Sequence, residues 1–122
     1  LFICPPANSP AIELARDRLY LPAGLCNGGM APLIKTVVAL PGQTVTIEGN
    51  QVAVDGELLA HSSIQAKDEQ GRPLTAYAGG IVPAGDIFVH SDYVASYDSR
   101  YFGPIPASGI LGLAREVLTF QP

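Results

Sequence analysis

A single lysine interrupts an otherwise almost unbroken apolar run, residues 33–42, which read LIKTVVALPG. Val37 and Val38 favour an extended backbone, because β-branched side chains fit a pleated sheet. Pro41 and Gly42 end the run with residues that are typical of a turn. The pattern therefore predicts a buried strand that carries one cation, Lys35.

Lys35 allows two interpretations. Removing an ammonium group from water is costly, and a buried lysine reduces that cost by losing its proton, which leaves a neutral amine that can act as a general base. Alternatively, Lys35 lies on an edge strand and extends its head group into solvent, as most strand lysines do. Taken by itself, the stretch favours the edge-strand interpretation.

A second stretch, residues 91–104, is dense in hydroxyls and charges and lies between two apolar segments. On an extended backbone Ser96, Asp98 and Arg100 share one side, so that the carboxylate and the guanidinium can pair. A hydroxyl and an ion pair on one face can hold a neighbouring amine in place. The alternative is a polar loop with a surface ion pair, which contributes about 0–1 kcal/mol.

The rest of the chain predicts an all-β, mainly antiparallel domain with one short helical excursion near the N-terminus. The 13 glycines and 11 prolines favour many turns and short elements. A helix begins with Ser9 as its N-cap and Pro10 as its first residue, with Ile12, Ala15 and Leu19 forming an apolar stripe.

The predicted strands follow the helix. A hairpin joins residues 44–47 to residues 51–54, and a short strand at residues 57–60 comes next. Polar residues at 62–80 predict an exposed loop, residues 81–90 a turn and a strand, and residues 109–120 a last strand. The candidate core residues of the hairpin and the last strand are Val45, Ile47, Val52, Val54, Leu113, Val117 and Leu118.

Composition excludes several classes of function. The net charge is −4 and no basic cluster exists, which argues against nucleic-acid binding. The chain has no apolar run of about 18 residues and hence no predicted membrane span. His61 and His90 have no further ligands at metal-type spacing, so neither a metal site nor a cofactor is predicted. The 122 residues fit one domain, residues 1–122.

The two cysteines, Cys4 and Cys26, are either buried thiols or one disulfide. A bridge would close a loop of roughly 20 residues and contribute about 3 kcal/mol to stability. It would also imply an oxidising compartment such as the periplasm.

The lysine-containing apolar run and the polar stretch at residues 91–104 together resemble a specific protein family. Lys35 followed by Leu-Pro-Gly, and residues 96–103 (SYDSRYFG), resemble two motifs of bacterial signal peptidase I, a membrane-anchored serine endopeptidase with a Ser-Lys dyad. Residues 82–85 (VPAG) match a turn between those motifs, and Gly109 or Gly112 matches the glycine before the family's last strand. The order agrees from about residue 33 to residue 120.

The resemblance implies a role for each matched residue. Lys35 is the general base that takes a proton from a serine nucleophile. Ser96 binds and orients the Lys35 amine, and Asp98 and Arg100 form a supporting pair. The resemblance also implies a peptide substrate that binds as an added strand.

Two departures from the family pattern stand out. The family's nucleophilic serine lies upstream, and Ser9 is read as a helix cap, so the nucleophile and the membrane anchor are expected outside this chain, which alone is expected to be inactive. The family's Gly-Asp-Asn is replaced by His90-Ser91-Asp92.

The second departure points to a subgroup. The short insertion loop, the cysteine-bearing excursion and residues 98–105 (DSRYFGPI) resemble the TraF-type peptidases of conjugative plasmids. That group implies a pilin precursor as substrate, processing with or without ring closure for type IV secretion, and a site at the periplasmic face of the inner membrane, where Cys4 and Cys26 would pair. The competing hypothesis is a non-catalytic β domain that binds or assembles part of a secretion apparatus.

Overall fold

A computed structural model describes residues 1–112, and within that range every pair of neighbouring strands is antiparallel. The strands, numbered in chain order, are β1 (Phe2–Ile3), β2 (Ala23–Cys26), β3 (Leu33–Ile34), β4 (Thr36–Ala39), β5 (Thr44–Glu48), β6 (Gln51–Val54), β7 (Glu57–Leu58), β8 (Gly80–Ile81), β9 (Asp86–His90), β10 (Ile105–Pro106) and β11 (Ile110–Gly112). Two helices, α1 (Pro10–Asp17) and α2 (Ser99–Phe102), accompany them. The predicted all-β, mainly antiparallel fold is confirmed, although α2 was not predicted.

Ten of these strands form three small sheets, and β2 forms isolated bridges to Met30. Their strand orders are β11-β1-β3, β10-β9-β4 and β7-β6-β5-β8. Neither helix in the described range is long and apolar enough to cross a bilayer.

Strand β9 lies at the centre of the core and is buried along most of its length. Successive side chains of a strand point to opposite faces, and those of β9 accordingly enter two different apolar clusters. Ile87 and Val89 pack in the cluster that also contains Ile12 of α1. Phe88 packs in the second cluster, beneath the hairpin of β5 and β6. Strand β9 therefore contributes to both the cluster that contains α1 and the cluster beneath the hairpin.

The hairpin closely follows its pattern. Strands β5 and β6 pair from Val45 with Val54 to Glu48 with Gln51. Val45 and Val52 are fully buried, whereas Ile47 and Val54 are half-buried at the margin of the second cluster. Strand β7 ends at Leu58, two residues before the predicted end of the third strand.

Helix α1 is shorter than its apolar pattern predicts. Ser9 is the N-cap residue and Pro10 the first helical residue, but no side-chain bond from Ser9 caps the helix. Ile12 and Ala15 are buried as expected. Leu19 has a positive φ of 63° and is 85% exposed, so the prediction that it continues the stripe is wrong.

The last predicted strand is described only in part. Strand β11 ends at Gly112 and pairs with β1. The rest of that prediction, including Leu113, Val117 and Leu118, lies outside the described residues.

A disulfide joins Cys4, directly after β1, to Cys26 at the end of β2. The bridge spans 22 residues and includes α1 in its loop. It therefore ties the helical excursion to the strand from which it departs.

Replacing both cysteines by serine should lower the free energy of unfolding by about 3 kcal/mol, because the unfolded chain regains the entropy of that loop. Urea unfolding of both proteins would measure the difference. A reductant should destabilise the natural protein by a similar amount and leave the Cys4→Ser/Cys26→Ser variant unchanged. Equal unfolding midpoints for oxidised and reduced natural protein would contradict a stabilising bridge.

Candidate active site

Lys35 lies where the chain passes from one sheet to another. Strand β3, directly before it, belongs to the β11-β1-β3 sheet, and strand β4, directly after it, pairs with β9. The Lys35 N–H donates to the carbonyl oxygen of Leu1 at 2.9 Å. The prediction of a single buried strand in the run at residues 33–42 is therefore wrong. The break at Lys35 separates two strands of different sheets.

The side chain of Lys35 is partly buried and faces the second polar stretch. Its Nζ donates a hydrogen bond to Ser96 Oγ at 2.5 Å, across 61 residues of sequence. Burial is the largest effect on the Lys35 amine and lowers its pKa. The Asp98 carboxylate raises the pKa and the Arg100 guanidinium lowers it, and the net direction is downward. This is the direction that a general base requires.

Asp98 and Arg100 form the predicted ion pair, and both side chains are fully buried. Nε of Arg100 donates to Asp98 Oδ1 at 2.9 Å, and Nη2 donates to Asp98 Oδ2 at 3.0 Å. The backbone differs from the prediction, since Asp98 is not part of an extended segment but the N-cap of α2. Its carboxylate also accepts the Arg100 N–H at 2.9 Å. The pair is thus a two-point contact built on a helix start.

The guanidinium of Arg100 also holds the loop that carries Ser96. Its Nη2 donates to the carbonyl oxygens of Ser91, Tyr93 and Ser96 at 3.3, 3.0 and 3.3 Å. Asp98 Oδ2 accepts the Ser91 N–H at 2.9 Å. The ion pair therefore fixes the backbone on both sides of the loop and acts on Lys35 through the position of Ser96.

Sequence reasoning missed two features of this region. Ser99 is buried, and its Oγ accepts the N–H of Val89, which joins α2 to the central strand β9. Nη1 of Arg100 donates to the carbonyl oxygen of Ser63, in the long loop. Helix α2 was also missed, although the sequence contains a signal for it. Asp98 is a favourable N-cap residue, and Gly103, with φ of 74°, is a favourable residue at the C-terminal end.

Lys35 and Ser96 line a cleft of about 800 Å³. Tyr93, Tyr97 and Tyr101, from the chain segment around Ser96, also line this cleft, as do residues of the long loop between Gln65 and Leu74. The predicted exposed loop at residues 62–80 is thus a wall of the cleft. Lys35 and Ser96 thus line the cleft, whereas the side chains of Asp98 and Arg100 are fully buried.

The two histidines do not meet through their rings. Nε2 of His90 lies 2.8 Å from the carbonyl oxygen of His61, and Nδ1 lies 3.8 Å from Asp92. Among residues 1–112, no group of three potential metal ligands is found.

Comparison with known proteins places these features in a family. The family model for signal peptidase, peptidase S26, matches residues 3–119. The probable conjugal transfer protein TraF of Sinorhizobium fredii is 57% identical over 122 residues, which cover 100% of this chain and 64% of that protein. The plasmid transfer protein TraF of Escherichia coli is 37% identical over 98% of this chain and 68% of that protein. The chain thus spans about two thirds of the length of these relatives.

A solved structure gives an independent comparison of the fold. The crystal structure of a signal peptidase I from Enterococcus faecalis matches with a TM-score of 0.50 at 24% identity. The match covers 71% of this chain and 86% of that chain. This likeness supports the signal-peptidase-like β fold.

Replacing Arg100 by methionine should destabilise the protein by about 3–5 kcal/mol, because the buried Asp98 carboxylate loses its partner. The exposed Arg16 is the matched control, and Arg16→Met should change the free energy of unfolding by less than about 0.5 kcal/mol. Urea unfolding measures both values. Similar small effects for the two variants would show that the buried pair does not hold the fold together.

The lowered pKa of Lys35 also predicts a pH-dependent stability. Between the folded-state pKa and the ordinary value of 10.5, the unfolded chain binds more protons at Lys35 than the folded chain does. Stability should therefore rise with pH across this window. The Lys35→Met variant lacks this contribution, so any stability advantage of the variant should shrink as pH rises toward 10.5. A difference between the two proteins that is independent of pH in urea unfolding would contradict the lowered pKa.

Proposed function

This chain belongs to the signal peptidase family, peptidase S26, and we propose that it supplies the general base of a Ser-Lys endopeptidase. The observation that carries this proposal is the hydrogen bond from Lys35 Nζ to Ser96 Oγ inside an open cleft. Lowering the pKa of a lysine increases the fraction of neutral amine, which is the form that can accept a proton from a hydroxyl.

The proposed reaction is acyl transfer through a covalent intermediate. The neutral Lys35 amine takes the hydroxyl proton of the nucleophilic serine as its oxygen attacks the scissile carbonyl carbon. The tetrahedral intermediate collapses, the peptide C–N bond breaks, and the Lys35 ammonium returns the proton to the departing amine. Lys35 then deprotonates a water molecule, which attacks the ester carbonyl carbon. The ester C–O bond breaks, the Lys35 ammonium returns the proton to the serine oxygen, and the acid product leaves. A second amine in place of water would instead form a new peptide bond and could close a ring.

Ser96 is assigned a positioning role. A neutral lysine carries two N–H donors and one lone pair, so one donor can bind Ser96 while the lone pair faces a second hydroxyl. The nucleophile is proposed to be a serine outside these 122 residues, as in the family motif. Arg100 and Asp98 keep Ser96 in place through the backbone of its loop.

The proposed substrate is the precursor of a conjugative pilin subunit, bound as an extended peptide along the cleft. The names of the TraF relatives support a role in conjugal transfer. The proposed site of action is the periplasmic face of the inner membrane, and the Cys4–Cys26 bridge fits that oxidising compartment.

Lys35→Ala in the natural full-length protein should reduce cleavage of the precursor to background without unfolding the domain. Lys35→Arg should be equally inactive, because arginine keeps the charge and length but cannot give up its proton. Arg16→Ala, on the exposed face of α1, serves as the active control. Gel-based cleavage assays together with circular dichroism measure activity and folding. Turnover by folded Lys35→Arg at the natural rate would remove Lys35 from the mechanism.

An acylating active-site reagent followed by peptide mass spectrometry should identify the nucleophile. The expected label is on a serine outside residues 1–122, and labelling should be lost in Lys35→Ala. Ser96→Ala should still be labelled, at a reduced rate. A label on Ser96 itself would instead assign the nucleophile to the hydroxyl that contacts Lys35 in this structure.

A further inference from the structure

Two arginines converge on one carboxylate in the same cleft that contains Lys35. Nε of Arg72 donates to Asp68 Oδ2 at 2.6 Å, and Nη1 of Arg18 lies 3.8 Å from the same oxygen. The guanidinium carbon of Arg18 lies 5.9 Å from the centre of the Tyr20 ring, and that of Arg72 lies 5.8 Å from it. All four side chains line the cleft. The arrangement fixes two cations around one aromatic ring and one anion.

Asp68 is already saturated by its neighbours. Its Oδ1 accepts the N–H groups of Gln70 and Arg72 at 2.9 and 2.8 Å, and its Oδ2 accepts the Tyr20 hydroxyl at 2.6 Å. Burial of the carboxylate would raise its pKa, but the hydrogen bonds from Tyr20 and Arg72 outweigh that effect and hold the pKa far below the ordinary value. Asp68 is therefore ionised at neutral pH and serves as a fixed support for the two arginines.

The charges around Asp68 do not cancel. Two guanidinium groups face one carboxylate, which leaves one net positive charge, and the neighbouring Lys67 and Glu69 offset each other. Four of the chain's seven basic residues line this cleft, in a chain with a net charge of −4. A net positive site in an acidic protein attracts anionic groups into the cleft.

The arginines also retain hydrogen-bond donors. Arg72 uses Nε for Asp68, and Arg18 uses Nη1 for the Tyr20 hydroxyl and the Pro73 carbonyl oxygen. Within the described residues, the two terminal amino groups of Arg72 and Nη2 of Arg18 have no hydrogen-bond partner. The side chains are 37% and 20% exposed, respectively. Guanidinium groups held in this way can bind a planar carboxylate through two N–H groups.

We propose that Arg18 and Arg72 form a subsite for a carboxylate of the bound peptide, at a distance from the bond that is cut. The inference rests on the proposed peptidase function, which makes a peptide the occupant of the cleft. The carboxylate belongs either to an acidic side chain or to the C-terminus of the peptide. In either case the subsite sets which peptides bind and in which register they lie beside Lys35.

The competing explanation is purely structural. The same contacts join residues 67–73 to residues 18–20, so the arginines would serve only to hold the long loop in place. The two explanations differ in one respect. A subsite distinguishes acidic from neutral peptides, whereas a loop support affects all peptides alike.

The test uses binding, so that it does not depend on turnover. Fluorescein-labelled alanine decapeptides carry one glutamate at each position in turn, and a matched series carries glutamine instead. A further pair has no glutamate and ends in a free carboxylate or an amide. Fluorescence anisotropy measures their affinities for the natural full-length protein carrying Lys35→Ala, which cannot turn the peptide over under the proposed mechanism.

A carboxylate subsite predicts that glutamate binds about tenfold more tightly than glutamine at one position, or that the free C-terminus binds about tenfold more tightly than the amide. Arg72→Gln and Arg18→Gln should each reduce that ratio toward one. Arg16→Gln, which removes an arginine outside the cleft, should leave the ratio unchanged. A preference that survives Arg18→Gln and Arg72→Gln would overturn the subsite.

The inference is also overturned by equal binding of all matched pairs, by no binding at millimolar peptide, or by an equal loss of both peptides in Arg72→Gln. These failures are separable from failure of the proposed function. Loss of the charge preference leaves the Lys35-dependent cleavage of the precursor intact, whereas cleavage by Lys35→Arg would refute the peptidase mechanism whatever the binding data show.

Discussion

The buried ion pair of Arg100 and Asp98 is the interaction on which the candidate site depends. A charge with no exposed surface is tolerated only when its hydrogen-bonding capacity is filled, and the Arg100 guanidinium fills it with Asp98 and four backbone carbonyls. Three of those carbonyls belong to the loop that presents Ser96. The stability of the Asp98–Arg100 pair is therefore coupled to the conformation of this loop. The buried Arg100 guanidinium, which does not line the cleft, holds the backbone that carries the Ser96 hydroxyl.

Lys35 meets this loop because the chain changes sheets at that residue. Pairing of β3 with β1 and of β4 with β9 fixes the backbone on both sides of Lys35, while the break between the strands frees its side chain from a regular position in either sheet. The side chain is partly withdrawn from water and still opens to the cleft. Partial burial lowers the pKa of the amine, and its place in the cleft leaves it accessible to the serine hydroxyl of the proposed mechanism.

The sequence predicted the elements that local chemistry determines. The alternating valines predicted the hairpin, and the residue types of the polar stretch at residues 91–104 predicted the pairing of Asp98 with Arg100. The sequence failed where tertiary context decides, since nothing in residues 33–40 shows that β3 and β4 pair with different sheets. Leu19 follows the helical period, yet the chain turns away at Asp17. The contacts of Asp68 with Tyr20 and Arg18 join segments that are far apart in the sequence. A sequence pattern does not reveal which charged residues of such segments come into contact.

The central claim is that the pKa of the Lys35 amine is lowered, and this pKa can be measured directly. Reductive methylation with ¹³C-formaldehyde labels the lysines of the natural full-length protein, and the Lys35 resonance is identified by its absence from the Lys35→Met variant. An NMR titration should place the pKa of Lys35 below the ordinary 10.5, and Arg100→Met should alter it by releasing the Ser96 loop. A Lys35 that titrates at its ordinary value would mean that the amine is charged at neutral pH and cannot serve as the base.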